Sequence, residues 1–169
     1  MFQIGEYVVK ANTGVCRVMD ITMYSVSEDD EKKECYLLCP YSNAAARLYV
    51  PVESDRCRMR QIMSREEARD LLERVRDIHA AVIESEKLRE QEYKDAIKSN
   101  DPESLVRIIK NLNIRMKERE QQGKKSTAVD ERYLGLAEAA LYTELATALG
   151  KELAEMREII EQRADDWYA

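Results

Sequence analysis

The stretch Gly5-Glu6-Tyr7-Val8-Val9-Lys10-Ala11-Asn12-Thr13-Gly14-Val15-Cys16-Arg17-Val18-Met19-Asp20-Ile21 decides how the first third of the chain is read. Tyr7, Val8 and Val9 favour a pleated, half-buried strand. Ala11 to Gly14 interrupts it, with Asn and Gly able to take the positive φ that a reversal needs. Val15 to Ile21 resumes in β-rich residues. The reading is strand, tight turn, strand, and such a hairpin is too small to stand alone. Further strands are therefore expected, and the sequence supplies them up to about residue 63. Cys35 to Cys39 (CYLLC) is a short apolar strand, broken by Pro40 to Ala45. Arg47 to Val52 alternates, with Leu48 and Val50 on one face and Arg47 and Tyr49 on the other. Pro51 donates nothing to a ladder, which predicts a strand end or an edge. Arg58 to Ile62 gives a last strand, and Ser27 to Lys33 (SEDDEKK) is a solvated loop. About five short strands joined by tight turns predict a small SH3-like or Tudor-like barrel over residues 1–63.

The chain then changes period. Ser64-Arg65-Glu66-Glu67 is a capping box, followed by Ala68, Leu71, Leu72, Val75, Ile78 and Val82 at helical spacing. A second helix is expected from about Ser85 to Ser99. Asp101-Pro102 opens a third, with Asp as N-cap and Pro at the first helical position. It carries Leu105, Ile108, Ile109, Leu112 and Met116 and ends near Gly123. Ser126-Thr127 opens a fourth, with the stripe Leu134, Ala137, Leu141, Leu145 and Leu149. Gly150 ends or kinks it, and Leu153 to Ile160 continue helically. Residues 64–169 are thus predicted to form a compact bundle of four to five helices, which makes the whole chain α+β.

Composition narrows the function. Nothing approaches the roughly 18 consecutive apolar residues of a membrane span, and no signal peptide is read in MFQIGEYV. A cytoplasmic protein with no membrane partner is expected. Of the cysteines Cys16, Cys35, Cys39 and Cys57, Cys35-x₃-Cys39 has the spacing of one zinc knuckle but sits inside an apparent strand, and Cys16 and Cys57 have no close companion, so all four read as reduced core residues and no metal or other cofactor is expected. The one histidine, His79, sits in the first predicted helix among Ile78, Ala80 and Ala81. There is no Gly-rich phosphate loop, no Gly-x-Ser-x-Gly and no His/carboxylate pair; neither an enzyme nor a small-molecule substrate is predicted. Net charge is −6, which argues against a protein that simply coats nucleic acid. The charge is unevenly spread. Residues 86–125 carry 11 Lys+Arg against 8 Asp+Glu, whereas residues 126–169 carry 4 against 10. One local basic region on an acidic protein is what this permits. Lys124 and Lys125, beside Gly123, are the lysines freest to reach a phosphate. On the β part, Tyr24, Tyr36, Tyr41, Arg47 and Tyr49 are the candidate interface residues, being the types that anchor protein contacts.

Taken in order, Ile4-Gly5-Glu6-Tyr7-Val8-Val9, Gly14-Val15, Tyr36-Leu37-Leu38, Tyr49-Val50-Pro51-Val52, Arg58-Met59-Arg60, Tyr93-Lys94, Ser99-Asn100-Asp101, Leu134 to Ala137 and Glu144-Leu145-Ala146 resemble the CarD-like family of bacterial transcription regulators. The N-terminal module of that family is shared with transcription-repair coupling factors. The resemblance implies a Tudor-like domain that binds the RNA polymerase β subunit, a helical domain lying against promoter DNA at the upstream edge of the opening bubble, and no enzyme activity. It places polymerase binding on Tyr24, Arg47, Tyr49 and Pro51. It places DNA binding around Leu88, Arg89 and Lys94, and the basic region adds Lys87, Lys124 and Lys125 to the candidate DNA-binding residues. Two departures stand out. Tyr24 and Tyr49 occupy positions where family members often carry arginine. Arg89 stands where well-studied members carry a Trp, four residues before the tyrosine matching Tyr93, that wedges into the minor groove. The expected function is modulation of open-complex stability; the alternative is a protein–protein adaptor of the same fold with little or no DNA contact.

Overall fold

The computed structural model describes residues 1–28, 30–54 and 58–168. Contacts divide the chain into two compact units, Met1–Ile62 and Met63–Ala169. Cys57, one of the four cysteines weighed above, lies outside the described residues.

The first unit is a five-stranded antiparallel sheet: β1 (Tyr7–Lys10), β2 (Gly14–Tyr24), β3 (Lys33–Pro40), β4 (Leu48–Pro51) and β5 (Met59–Gln61). The spatial order is β4-β3-β2-β1-β5, which leaves β4 and β5 as the edges. The opening turn is built as its residues suggest. Asn12 and Gly14 both take positive φ, 63° and 88°, and Val9 pairs with Val15 across it. Pro51 ends edge strand β4, where a missing donor costs least. Between Val18 and Asp20 the β2–β3 register shifts. This bulge changes which side chains of β2 face the core: Val18 before it, Ile21 after it. The core is Val8, Cys16, Val18, Tyr36, Leu38 and Val50, with Phe2, Ile21 and Leu48 packed on it. Tyr36 is thus a core residue, not an interface candidate. Its hydroxyl accepts the Phe2 backbone N–H at 3.0 Å.

The second unit is helical: α1 (Arg65–Arg74), a 3₁₀ turn (Val75–Asp77), α2 (Glu86–Ser99), α3 (Pro102–Gln121), α4 (Ala128–Leu149), α5 (Leu153–Gln162) and the single-turn α6 (Ala164–Trp167). The capping box is present, with Ser64 Oγ accepting from Glu67 N–H at 3.1 Å and the Glu67 carboxylate accepting from Ser64 N–H at 2.7 Å. Asp101 caps α3 at Ser104 N–H and Thr127 caps α4 at Asp130 N–H. Gly150 ends α4 in the left-handed conformation. Helix α4 is central, and Leu141 to Ala146 are buried on every side of it.

The first helix is shorter than its apolar spacing predicts. It tightens into the 3₁₀ turn after Arg74, and Ile78 is extended. Val82, read as part of the stripe, is 84 % exposed. The reason is tertiary. Ala81 N–H donates to Arg107 O at 2.9 Å, and Ala81 O accepts from Asn111 Nδ2 at 2.8 Å. The segment's backbone bonds are made to α3, not within a helix, and the β-branched Val75, Ile78, Val82 and Ile83 oppose a helix weakly in any case. His79 consequently lies beyond the helix, exposed. Among the described residues no helix is long and apolar enough to cross a membrane.

Candidate functional site

On the sheet, the register defines the face opposite the core. After the bulge, Asp20, Thr22 and Tyr24 of β2 line up with Leu37, Cys35 and Lys33 of β3, and Leu37 and Cys35 with Tyr49 and Pro51 of β4. Two of the sequence candidates meet on this face. Tyr24 and Tyr49 stack with ring centroids 3.7 Å apart and planes 7° from parallel. Because β3 separates β2 from β4, the stack spans β3 above Cys35. This explains why Cys35 is buried although it points away from the core. Burial also pushes its thiol pKa up. The rings remain 37 % and 41 % exposed.

Arg47, the third candidate, is exposed but committed. Its Nη1 donates to Ala44 O and Ala46 O, both at 2.8 Å, and lies 3.4 Å from Cys39 Sγ. The guanidinium therefore holds the turn before β4 in shape. Pro51 is half-buried at the end of the same strand.

In the helical unit, the candidates on α2 divide. Lys87 and Leu88 are exposed, and Lys94 is exposed while paired with Glu90 at 3.1 Å. The Glu90 carboxylate also accepts the Tyr133 hydroxyl at 2.8 Å. That hydroxyl bond first, and Lys94 second, hold its pKa below the usual carboxylate range. Arg89 turns inward: its side chain is only 14 % exposed. Nη1 donates to Tyr93 Oη at 3.0 Å and Asn111 Oδ1 at 3.2 Å, and Nη2 to Glu86 Oε1 at 2.8 Å. Arg115 Nη1 reaches the same Glu86 oxygen at 3.0 Å, and Arg115 Nε reaches Asp130 Oδ2 at 2.9 Å. Glu86, Arg89, Tyr93, Asn111, Arg115 and Asp130 thus form one network across α2, α3 and α4. Hydrogen bonding from Arg89 leads the causes that hold the Glu86 carboxyl below its ordinary range. Sequence reasoning missed Asn111, Arg115 and Asp130 as partners, since polar residues on a helix face carry no mark of an interhelical bond.

The same network places the remaining candidates. Glu86, which opens α2, bonds Arg115, and Arg115 bonds Asp130, three residues past the α4 cap Thr127. Lys87 and Leu88 therefore share an end of the bundle with the α3–α4 turn, where Lys124 and Lys125 are exposed. That turn is firmly built: Gly123 has φ 72°, Lys124 N–H donates to Arg119 O, and Arg119 Nε donates to Lys125 O. Lys124 and Lys125 border a cleft of about 860 Å³ whose wall also carries Glu120, Glu131 and Asp165. Its charge is mixed, so it is not a phosphate pocket. Lys110, counted in the basic region, is fully buried. Desolvation lowers its pKa, while Asp166 and Asp77 nearby oppose that shift.

Residues 2–63 match the family model of the CarD-like/TRCF RID domain, which supports a CarD-like assignment. A domain of this kind points to a transcription factor that interacts with RNA polymerase. No curated protein matches the chain by sequence.

Proposed function

We propose that this chain is a non-enzymatic bacterial transcription regulator of the cytoplasm. In this reading residues 1–63 form a Tudor-like module that docks on the RNA polymerase β subunit. Residues 64–169 contact promoter DNA and modulate the stability of the open complex. The domain match over residues 2–63 carries the reading. The stacked Tyr24 and Tyr49 with Pro51 supply an exposed docking face, and Arg47 shapes the turn beside it. Lys87, Leu88, Lys124 and Lys125, gathered at one end of the bundle, with Lys94 further along α2, supply the DNA face. Arg89 supports that face from inside, by holding α2 to α3. A pull-down of the polymerase β subunit by the full chain tests the docking. Capture that survives the paired changes Arg47→Ala and Tyr49→Ala rules out this site.

A second reading is an adaptor of the same fold that binds protein and not DNA. The inward turn of Arg89 favours it, because no side chain at that position is left to enter a groove. Charge reversal at Lys124 and Lys125 separates the two readings. It leaves promoter-complex lifetime unchanged if the chain is an adaptor.

A further inference from the structure

We infer that the docking face binds through an uncharged aromatic contact, and that the polymerase surface it fits is an apolar ridge of aliphatic, proline or aromatic side chains instead of an acidic patch. The inference rests on the polymerase reading and says what chemistry that interface has in this chain. Four observations carry it.

The centre of the face is Thr22, Tyr24, Cys35, Leu37, Tyr49 and Pro51, none of them charged. The two rings are already stacked, so little side-chain freedom remains to be lost on docking, and ordering side chains is one of the costs that weakens an interface. Arg47, beside the face, directs its Nη1 at two backbone carbonyls and a sulfur of its own turn. Those bonds tie one end of the guanidinium to its own turn. Asp20, the nearest anion on the face, has its Oδ1 accepting from the Ile21 N–H at 2.8 Å. Lys33 lies only at the far end, paired with Tyr24 across the ladder. What the face offers is flat ring surface with hydroxyl rims, the kind of anchor that dominates interfaces when it is desolvated.

Salt distinguishes this from ionic docking. Exposed charges are screened as the Debye length falls from about 10 Å at 0.1 M, whereas ring burial is not screened. The experiment measures the affinity of the full chain for immobilised core polymerase at low and high NaCl, for wild type, Tyr49→Phe and Tyr49→Ala. Wild-type affinity is expected to fall by less than about threefold between about 0.1 and 0.5 M salt. Tyr49→Phe is expected to bind like wild type, and Tyr49→Ala to lose about tenfold or more. A wild-type loss above about tenfold with salt overturns the inference and leaves the polymerase reading standing, and this measurement needs no variant to fold. Tyr49→Ala binding like wild type overturns it too. Absence of any wild-type binding overturns both.

Discussion

Arg89 shows how much a single side chain's direction decides. Its neighbours Lys87 and Leu88 face solvent, yet its guanidinium serves Tyr93, Asn111 and Glu86. Truncating it leaves the buried Tyr93 hydroxyl without its donor, while Asn111 Oδ1 keeps the Tyr93 hydroxyl as donor, and an orphaned buried group costs about 1–3 kcal/mol. Arg89→Ala is therefore expected to destabilise the chain by about 1–3 kcal/mol, read as a lower denaturant midpoint with unchanged slope. A residue that served only to touch DNA would lower DNA affinity with no change in midpoint. Glu86 makes the network pH-dependent. Its folded-state pKa lies below the ordinary 4.5, so its contribution is complete above that value and is lost as pH falls through the folded pKa. Unfolding midpoints should drop in acid below about pH 4.5, and Glu86→Gln should flatten part of that fall. Tyr24, Tyr49, Lys124 and Lys125 were legible from sequence as exposed residues. Arg89, Lys110 and Tyr36 were not, because their burial depends on partners many positions away: Asn111 is 22 residues from Arg89, and Phe2 is 34 from Tyr36.

Whole elements sort by the same rule of local against distant control. The caps Ser64 and Asp101, the Pro102 start, the fourth-helix start at Ser126-Thr127 and the end or kink at Gly150 are decided within one turn of chain and were read from the sequence; the structure makes Thr127 the cap and Gly150 the end. The end of α1 is decided by Arg107 and Asn111 on α3, and the apolar spacing ran past it. Asn111 is the residue on which that segment depends most, since it bonds Ala81 O and also accepts from Arg89 and Tyr93. Asn111→Leu is expected to cost more than Arg89→Ala, because it strands a backbone carbonyl and two donors together. Native-state hydrogen exchange should then show the Ala81 amide losing protection before the α4 core does. Gly150 offers a local counterpart. It holds φ 66°, and a Cβ there would lie 3.3 Å from Arg65 Nη2. Gly150→Ala is expected to cost about 1–2 kcal/mol from the left-handed backbone alone, measured by chemical denaturation.

At the scale of the molecule, charge and architecture divide the work. The chain carries −6 overall, yet Lys87, Lys124 and Lys125 are exposed at one end of the helical unit, and the net-basic residues 86–125 supply them. If the helical unit binds DNA as proposed, a handful of lysines against an acidic background would make that binding weak and steeply salt-dependent, because phosphate contacts release counterions. A second module on the same chain changes that arithmetic. In the proposed reading, with the sheet unit holding the protein on polymerase, a DNA contact would become intramolecular, and effective concentrations in the millimolar range would make weak contacts count. The two readings of function then give opposite outcomes for one variant. Lys124→Glu with Lys125→Glu lies outside the sheet and outside the Glu86–Arg89–Asn111 network, so polymerase affinity and the unfolding midpoint should both stay at wild-type values. If the helical unit touches promoter DNA, the lifetime of the open complex in the presence of the variant should move toward the value without protein, with the largest difference at low salt. A lifetime equal to that with wild type at every salt concentration assigns the chain to the adaptor reading.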